Sequence, residues 1–214
     1  MKKLAIFDFD GTLVNSVNDV IICFNKALTK HNLPTLTQKE YYNRLGGNID
    51  QMISQILKNK NTQKNITQIK NTYLNLYYNS KKENTQPYPK AHETLIKLQN
   101  KNIKIAINSN RYTDSLESFT NKFFPDIKFI SIEGHNTENP SKPSPIGVNK
   151  ILKKAQILPK ETIYIGDSKT DIETAKNAGI DCIIVKWGYG NKNDWENKHI
   201  IDCIDNFSQI LKYF

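Results

Sequence analysis

The chain has 214 residues, a formal net charge of +9 and a hydrophobic share of 38%, which suits one core with a smaller appended unit. Lysine carries nearly all of the positive charge, since arginine occurs only at Arg44 and Arg111. Nucleic-acid binders cluster their cations and use arginine for bidentate contacts, so we expect a mild attraction of anionic substrates and no nucleic-acid partner.

The first predicted element is a buried strand at about residues 3–7, and the segment after it is predicted to be helical. Apolar residues recur there at helical spacing, and a capping box opens one of the helices. Gly46-Gly47-Asn48 separates the second helix from the third, and Pro87 marks the end of the segment. The predicted helices are 17–31, one that begins at about 37, 49–57 and 66–78.

After residue 90 the pattern changes, because short apolar strands now alternate with amphipathic helices. This alternation favours a parallel sheet with helices on both faces. The predicted strands are 103–107, 127–132, 162–165, 182–185 and a short one at 200–204. The predicted helices are 91–100, 113–124, 145–155, 168–178 and 207–211.

We therefore expect an α/β fold class, with a Rossmann-like parallel sheet as the core and an inserted small α-helical cap. Residues 1–14 and 87–214 are predicted to form the core, and residues 15–86 the cap. The insert begins directly beside the turn that follows the first strand. A lid that closes over this edge of the sheet is the natural role for such an element.

The stretch from Ala5 to Leu13 carries the strongest chemical signal. An apolar run leads into Asp8 and Asp10, and Gly11-Thr12 follows. Side chains two residues apart on a strand share a direction, so both carboxylates start toward the edge where open α/β sheets bind ligands. Clustered acids repel one another unless a cation lies between them, and oxygen ligands favour Mg²⁺.

Two later loops carry groups that suit an anionic ligand. Ser109 and Asn110 follow a buried strand, where a hydroxyl and main-chain N–H groups can hold a phosphate oxygen. Lys142 lies between Pro140 and Pro143, which restrict its conformation. An ammonium fixed in this way suits the neutralisation of charge on a transferring phosphoryl group.

A second acidic strand end follows at Gly166-Asp167, with Asp171 four residues later at the start of a helix. Asp167 is predicted to lie at the same sheet edge as Asp8 and Asp10, around one cation. Asp171 has a simpler alternative role, because an acid in the first turn stabilises a helix N-terminus.

Taken in order, these stretches resemble the four motifs of haloacid dehalogenase superfamily phosphatases. The first is Asp8-Phe9-Asp10-Gly11-Thr12-Leu13, and the second ends in Ser109. The third is Lys142-Pro143, and the fourth runs from Gly166 to Asp171. The resemblance spans essentially the whole chain, and the helical insert resembles the caps of this superfamily.

The resemblance implies a Mg²⁺-dependent reaction through an aspartyl-phosphate. Asp8 is the implied nucleophile, and Asp10 is the implied general acid and base. Asp8, Asp10 and Asp167 are the implied metal ligands, Asp10 through its main-chain carbonyl. Asp171 is expected to bond a metal-bound water or the loop, with a direct ligand role left open.

The resemblance also implies which residues bind substrate. Ser109, Asn110 and Lys142 are expected to hold the transferring phosphate. Trp187-Gly188-Tyr189-Gly190 resembles a segment of phosphoglycolate phosphatases, which favours a small phosphorylated metabolite such as 2-phosphoglycolate. Arg44, in the cap, would suit the carboxylate of such a substrate, although an ordinary surface arginine is an equal expectation.

Other functions stay open at this point. Relatives in the superfamily hydrolyse pyrophosphate, nucleotides or sugar phosphates. Sugar-phosphate mutases carry a histidine in the first cap helix, where this chain has Val20, so hydrolysis is favoured over mutase activity. A phospho-aspartate signalling module combines similar residues, but it lacks an acid two residues after the acceptor and a helical insert of this size.

The remaining expectations concern location and partners. No apolar run approaches the ~20 residues that a membrane span needs. Because the N-terminus leads directly into a predicted core strand, we expect no signal peptide. Cys23, Cys182 and Cys203 form no Cys-x-x-Cys pair. We therefore expect a cytoplasmic monomer or homodimer that acts on a small phosphorylated metabolite, with no membrane partner.

Overall fold

The computed structural model describes residues 1–42, 44 and 47–214. The chain divides into two compact units. One unit combines Met1–Val14 with Pro87–Phe214, and the other is Asn15–Gln86. The predicted break at Gly46-Gly47-Asn48 falls partly on Gly46, which lies outside the described residues.

A six-stranded sheet forms the centre of the first unit, in the order β5-β4-β1-β6-β7-β8, and all of its neighbouring strands are parallel. This architecture confirms the predicted α/β fold class. Two short strands, β2 and β3, pair where the chain passes between the units. The strands are β1 (Leu4–Phe7), β2 (Val14–Asn15), β3 (Gln86–Pro87), β4 (Lys104–Tyr112), β5 (Phe129–His135), β6 (Thr162–Gly166), β7 (Asp181–Val185) and β8 (Ile200–Ile204).

The central strand β1 is buried on both faces. Ala5 and Phe7 pack into one hydrophobic cluster, and Leu4 and Ile6 pack into the other. This explains the unbroken apolar run of β1, because a parallel strand covered on both sides needs apolar residues at every position. The helices that cover the sheet are α5 (Ala91–Asn100), α6 (Thr113–Phe123), α7 (Ile146–Ala155) and α8 (Lys169–Asn177).

The second unit is helical, with its own core. Aromatic rings contribute much of that core, and Phe24 stacks on Tyr73 with 3.8 Å between ring centroids. Its helices are α1 (Val17–Lys30), α2 (Gln38–Tyr42), α3 (Ile49–Leu57) and α4 (Gln63–Tyr78). Within the described residues, no helix combines the length and the apolar character that a membrane crossing requires.

Four strands, β4 to β7, are longer than predicted, β4 by the most, and the C-terminal helix has a different type. β4 extends to Tyr112 because its pairing with β5 resumes after a register shift between Asn108 and Tyr112. An interrupted ladder of this kind leaves no alternating apolar signal in the sequence. The last helix, predicted as Phe207–Leu211, is a 3₁₀ helix over Phe207–Tyr213.

One buried acid ties the end of the helical unit to its beginning. Asp19, in the first turn of α1, accepts hydrogen bonds from the main chain of Asn84 at 3.1 Å and from its side chain at 2.9 Å. The hydroxyl of Thr85, which is fully buried, donates to Asp19 at 2.6 Å. A single carboxylate therefore satisfies three donors.

We predict that Asp19→Ala lowers the free energy of unfolding by about 2–4 kcal/mol, because it leaves buried donors without an acceptor. Glu83→Ala is the matched control in the neighbouring turn, since the Glu83 carboxylate is exposed and lies 3.8 Å from Lys81. The control should change stability by less than about 1 kcal/mol. Urea unfolding followed by far-UV circular dichroism measures both, and equal losses would contradict the prediction.

Candidate active site

The site lies at the carboxyl ends of strands β1, β4 and β6. Phe7 lies opposite Ile107 on one side and Ile165 on the other. The residues that follow these positions, Asp8 and Asp167 among them, therefore emerge side by side at the carboxyl edge of the sheet. This is the edge at which open parallel sheets bind their ligands.

Three carboxylates meet at this edge. Asp8, Asp167 and Asp171 each offer an oxygen that lies within 4.8 Å of the others. All three residues are buried, and Asp171 has no exposed surface. Like charges this close repel one another strongly, so the cluster needs compensating positive charge.

Burial shifts the pKa values of these acids upward. Burial, opposed in part by Lys142 and aided by Asp171, raises the pKa of Asp8 from 3.8 to about 7. Burial and the neighbouring charges of Asp171 and Asp8 raise the pKa of Asp167 well above its ordinary value. The environment therefore disfavours three free negative charges and favours a bound cation or a proton.

Lys142 supplies one positive charge from within the protein. Its Nζ lies 2.6 Å from Oδ1 of Asp8 and 2.6 Å from Oδ1 of Asp171. Burial opposes the charged ammonium, but Asp171 and Asp8 outweigh it and hold the pKa of Lys142 well above its ordinary value. The side-chain oxygen of Asn110 accepts from the main-chain N–H of Lys142 at 2.7 Å, which fixes the lysine loop.

Asp171 is the most heavily bonded member of the cluster. Its Oδ1 accepts from Lys142 and from the Tyr164 hydroxyl, and its Oδ2 accepts from the main chain of Asp167 and from both the main chain and the hydroxyl of Ser168. A Cβ on Gly166 would lie 2.3 Å from Cβ of Asp171, so glycine is needed for this close approach. Asp171 thus holds the loop and the lysine in place.

Asp167 is enclosed by the loop Gly188-Tyr189-Gly190, which the sequence interpretation connected with the substrate but not with Asp167. The main-chain N–H of Tyr189 donates to Oδ2 of Asp167 at 2.6 Å. A Cβ on Gly188 would lie 2.3 Å from Cβ of Asp167, and one on Gly190 would lie 1.9 Å from its main-chain oxygen. The spaced glycines of Gly188-Tyr189-Gly190 were the available signal, since closely approaching backbone requires glycine.

Asp10 forms hydrogen bonds with a different residue, Arg111. Nε of Arg111 donates to Oδ2 of Asp10 at 2.9 Å, and Nη2 donates to Oδ1 at 2.6 Å. Ser109, which is buried, accepts from the main-chain N–H of Arg111 at 3.2 Å. Sequence reasoning did not select Arg111, although its position two residues after Ser109 and the scarcity of arginine were signals.

Comparison with known proteins now identifies the family. Residues 5–185 match the family model described as haloacid dehalogenase-like hydrolase. The chain belongs to the haloacid dehalogenase-like hydrolases.

Related proteins span nearly the whole chain. A phosphoglycolate phosphatase from Aquifex aeolicus is 29% identical and aligns over 89% of this chain and 88% of its own. One from Vibrio vulnificus is 29% identical over 98% of this chain and 94% of its own. A solved structure from Haemophilus somnus, named a predicted phosphoglycolate phosphatase, is 26% identical with a TM-score of 0.87, and covers 99% of this chain and 97% of that one.

The predicted enzyme class is therefore confirmed. The chain is a phosphatase of the haloacid dehalogenase-like hydrolases, and its relatives act on small phosphorylated compounds.

Arg44, the predicted ligand of a substrate carboxylate, belongs to the helical unit. Its guanidinium donates there to the main-chain oxygen of Glu40.

We predict that Gly188→Ala removes Mg²⁺ binding, because the added Cβ would displace the Asp167 carboxylate. Gly179→Ala is the control, since a Cβ there meets nothing within 4 Å and costs only the strain of a positive φ, about 1 kcal/mol. Saturating Mg²⁺ should raise the melting temperature of the wild type and of Gly179→Ala by a few degrees relative to EDTA. An equal Mg²⁺ shift in Gly188→Ala would count against this account.

A second prediction concerns the metal-free hydrolase in EDTA. Because the pKa of Asp8 is about 7 in the folded protein and 3.8 ordinarily, the folded state holds a proton that the unfolded chain has released between about pH 4 and 7. The stability from this proton is complete below about pH 4 and is lost as pH rises to about 7, at a limiting slope of ~1.4 kcal/mol per pH unit.

The amide introduced by Asp8→Asn cannot titrate, so the stability of this variant relative to the wild type should rise between about pH 4 and 7 and then level off. Denaturant unfolding at several pH values measures this difference, and Glu117→Gln, an exposed site on α6, supplies the baseline. A difference that stays constant with pH would show that Asp8 titrates normally.

Proposed function

We propose that this chain is a Mg²⁺-dependent phosphomonoester hydrolase that works through an aspartyl-phosphate on Asp8. The observation that carries the proposal is the buried contact of Asp8 with Lys142 beside Asp167 at one sheet edge. A carboxylate with an adjacent ammonium and a neighbouring acid suits nucleophilic attack on a phosphoryl group, whose charge must be neutralised as it transfers.

The residues fit a hard divalent cation. All candidate ligands are oxygens, which Mg²⁺ prefers, and the buried acids create the negative field that such an ion relieves. We assign Asp8 and Asp167 as the carboxylate ligands, with the main-chain carbonyl of Asp10. Asp171 accepts five hydrogen bonds, against about four lone-pair sites on a carboxylate, which favours a supporting role over direct coordination. When bound, the cation would neutralise charge on the transferring phosphoryl group.

In the first step, an oxygen of Asp8 attacks the phosphorus in line. A bond forms between this oxygen and phosphorus, and the bond from phosphorus to the leaving oxygen breaks. Asp10 gives its proton to that leaving oxygen, so the alcohol departs neutral. Lys142 and Ser109 hold the phosphoryl oxygens, with Lys142 fixed by Asn110 and Asp171.

In the second step, water attacks the phosphorus of the aspartyl-phosphate. Asp10, now ionised, takes a proton from this water, and the bond between phosphorus and Asp8 breaks. Inorganic phosphate leaves, and both acids return to their starting protonation states. The same acid therefore serves both steps with opposite directions of proton transfer.

For the substrate we propose 2-phosphoglycolate. Curated relatives of near-complete coverage carry the name phosphoglycolate phosphatase, which supports this choice. In this proposal the helical unit, residues 15–86, is a cap over the reaction, and Arg44 binds the substrate carboxylate. Pyrophosphate, nucleotides and sugar phosphates are the alternative substrates.

We predict that Asp8→Asn lowers kcat by at least ~10³-fold, because an amide cannot replace a carboxylate nucleophile. Release of phosphate from p-nitrophenyl phosphate with Mg²⁺ measures this loss. Glu117→Gln is the control and should retain wild-type kcat. Residual wild-type turnover in Asp8→Asn would rule out the nucleophile assignment.

A phosphate-release screen over small phosphomonoesters and pyrophosphate tests the substrate. We expect the highest kcat/KM for 2-phosphoglycolate. Arg44→Met should raise KM for this substrate by about tenfold or more, with little change for a phosphate ester that lacks a carboxylate. A higher kcat/KM for pyrophosphate or a nucleotide would rule out 2-phosphoglycolate as the preferred substrate. It would leave the proposed hydrolysis through Asp8 unchanged.

A further inference from the structure

We propose that Arg111 is a positioning residue that sets the direction of the Asp10 carboxylate, an inference that rests on the hydrolytic function proposed above. The contact is a fork, with Nε and Nη2 of the guanidinium each bonded to a different oxygen of Asp10. Two parallel bonds of this kind fix the plane of a carboxylate as well as its distance, which one ammonium contact cannot do.

The fork is compatible with proton transfer, because a carboxylate has about four lone-pair sites and the two bonds from Arg111 use one on each oxygen. Because the Asp10 side chain is 27% exposed, it needs an outside constraint to keep one orientation.

The side chain of Arg111 is itself fixed by its contacts. Its side chain is 9% exposed, and its Nη1 donates to the hydroxyl of Ser115 at 3.2 Å. The guanidinium carbon lies 4.9 Å from the ring centroid of Phe119 and 6.0 Å from that of Phe9, within the range of cation–π attraction. Phe9 stands between the two acids in sequence, so the same motif supplies Asp10 and part of the surface that fixes its partner.

The backbone at Arg111 is also placed by close packing. A Cβ on Gly134 of β5 would lie 2.6 Å from the main-chain oxygen of Arg111 and 2.6 Å from the main-chain nitrogen of Thr113. The register shift in the pairing of β4 with β5 falls across this same segment. The irregular end of β4 thus directs Arg111 to Asp10, which lies 101 residues earlier in the chain.

The test uses the dependence of the first step, followed as release of the alcohol in a single turnover, on the leaving group. A general acid matters greatly for an alkyl alcohol and little for p-nitrophenol, which departs readily without a proton, whereas the later hydrolysis of the aspartyl-phosphate is common to all esters and does not enter this rate. Arg111→Met should therefore lower the single-turnover rate of alcohol release by about 10²-fold for alkyl phosphates and by no more than about threefold for p-nitrophenyl phosphate. Arg111→Lys, with one donor group in place of the fork, should fall between Arg111→Met and the wild type.

A double-mutant cycle with Asp10→Asn separates action through Asp10 from other roles. If Arg111 acts through Asp10, adding Arg111→Met to Asp10→Asn should cause no further loss on alkyl phosphates. Lys104→Met is the charge control, because it removes a cation from the opposite end of β4, where Nζ bonds the main-chain oxygen of Ala155. It should leave the leaving-group dependence unchanged.

Three results would overturn the inference: an equal loss of the single-turnover rate on all esters, a rise in KM with that rate intact, or multiplied losses in the double variant. The Mg²⁺-induced shift in melting temperature, measured on every variant, shows whether the site is still folded. Failure of the wild type to hydrolyse any phosphomonoester would instead refute the proposed function, so the two failures are distinguishable.

Discussion

The burial of three carboxylates around one ammonium is the constraint on which the rest of this structure depends. One carboxylate oxygen each from Asp8, Asp167 and Asp171 lies within 4.8 Å of the others, and Lys142 contacts two of the three acids at 2.6 Å. Such a cluster is costly, as the pKa of about 7 for Asp8 shows. The surrounding sheet and loops hold the acids together despite their mutual repulsion. This repulsion favours the binding of a cation, and the fixed ammonium suits a phosphoryl group.

The fold supplies that hold through ordinary elements. Parallel strands bring the acids to one edge, and the apolar faces of β1 anchor the edge in two hydrophobic clusters. Glycines then allow loops to approach the acids more closely than any side chain would permit, as at Gly166 and Gly188. The sheet therefore determines the position of the acids, and the loops supply their hydrogen-bond partners.

The sequence allowed the α/β fold and the strand ends to be predicted, because apolar runs and their periodicity report burial directly. The acids at Asp8 and Asp167 could be singled out for the same reason, since each follows such a run. The fork from Arg111 to Asp10 and the loop around Asp167 could not be derived in this way. They depend on contacts between segments far apart in the chain, such as Asp10 and Arg111, which are 101 residues apart, and local patterns do not encode that approach.

The most direct measurement of the central claim is chemical identification of the phosphorylated residue. Rapid acid quenching of the hydrolase with ³²P-labelled substrate and Mg²⁺ should trap label on the peptide that contains Asp8, and hydroxylamine should release it, as expected for an acyl phosphate. Label on another residue, or turnover with no labelled protein at any time point, would contradict attack by Asp8.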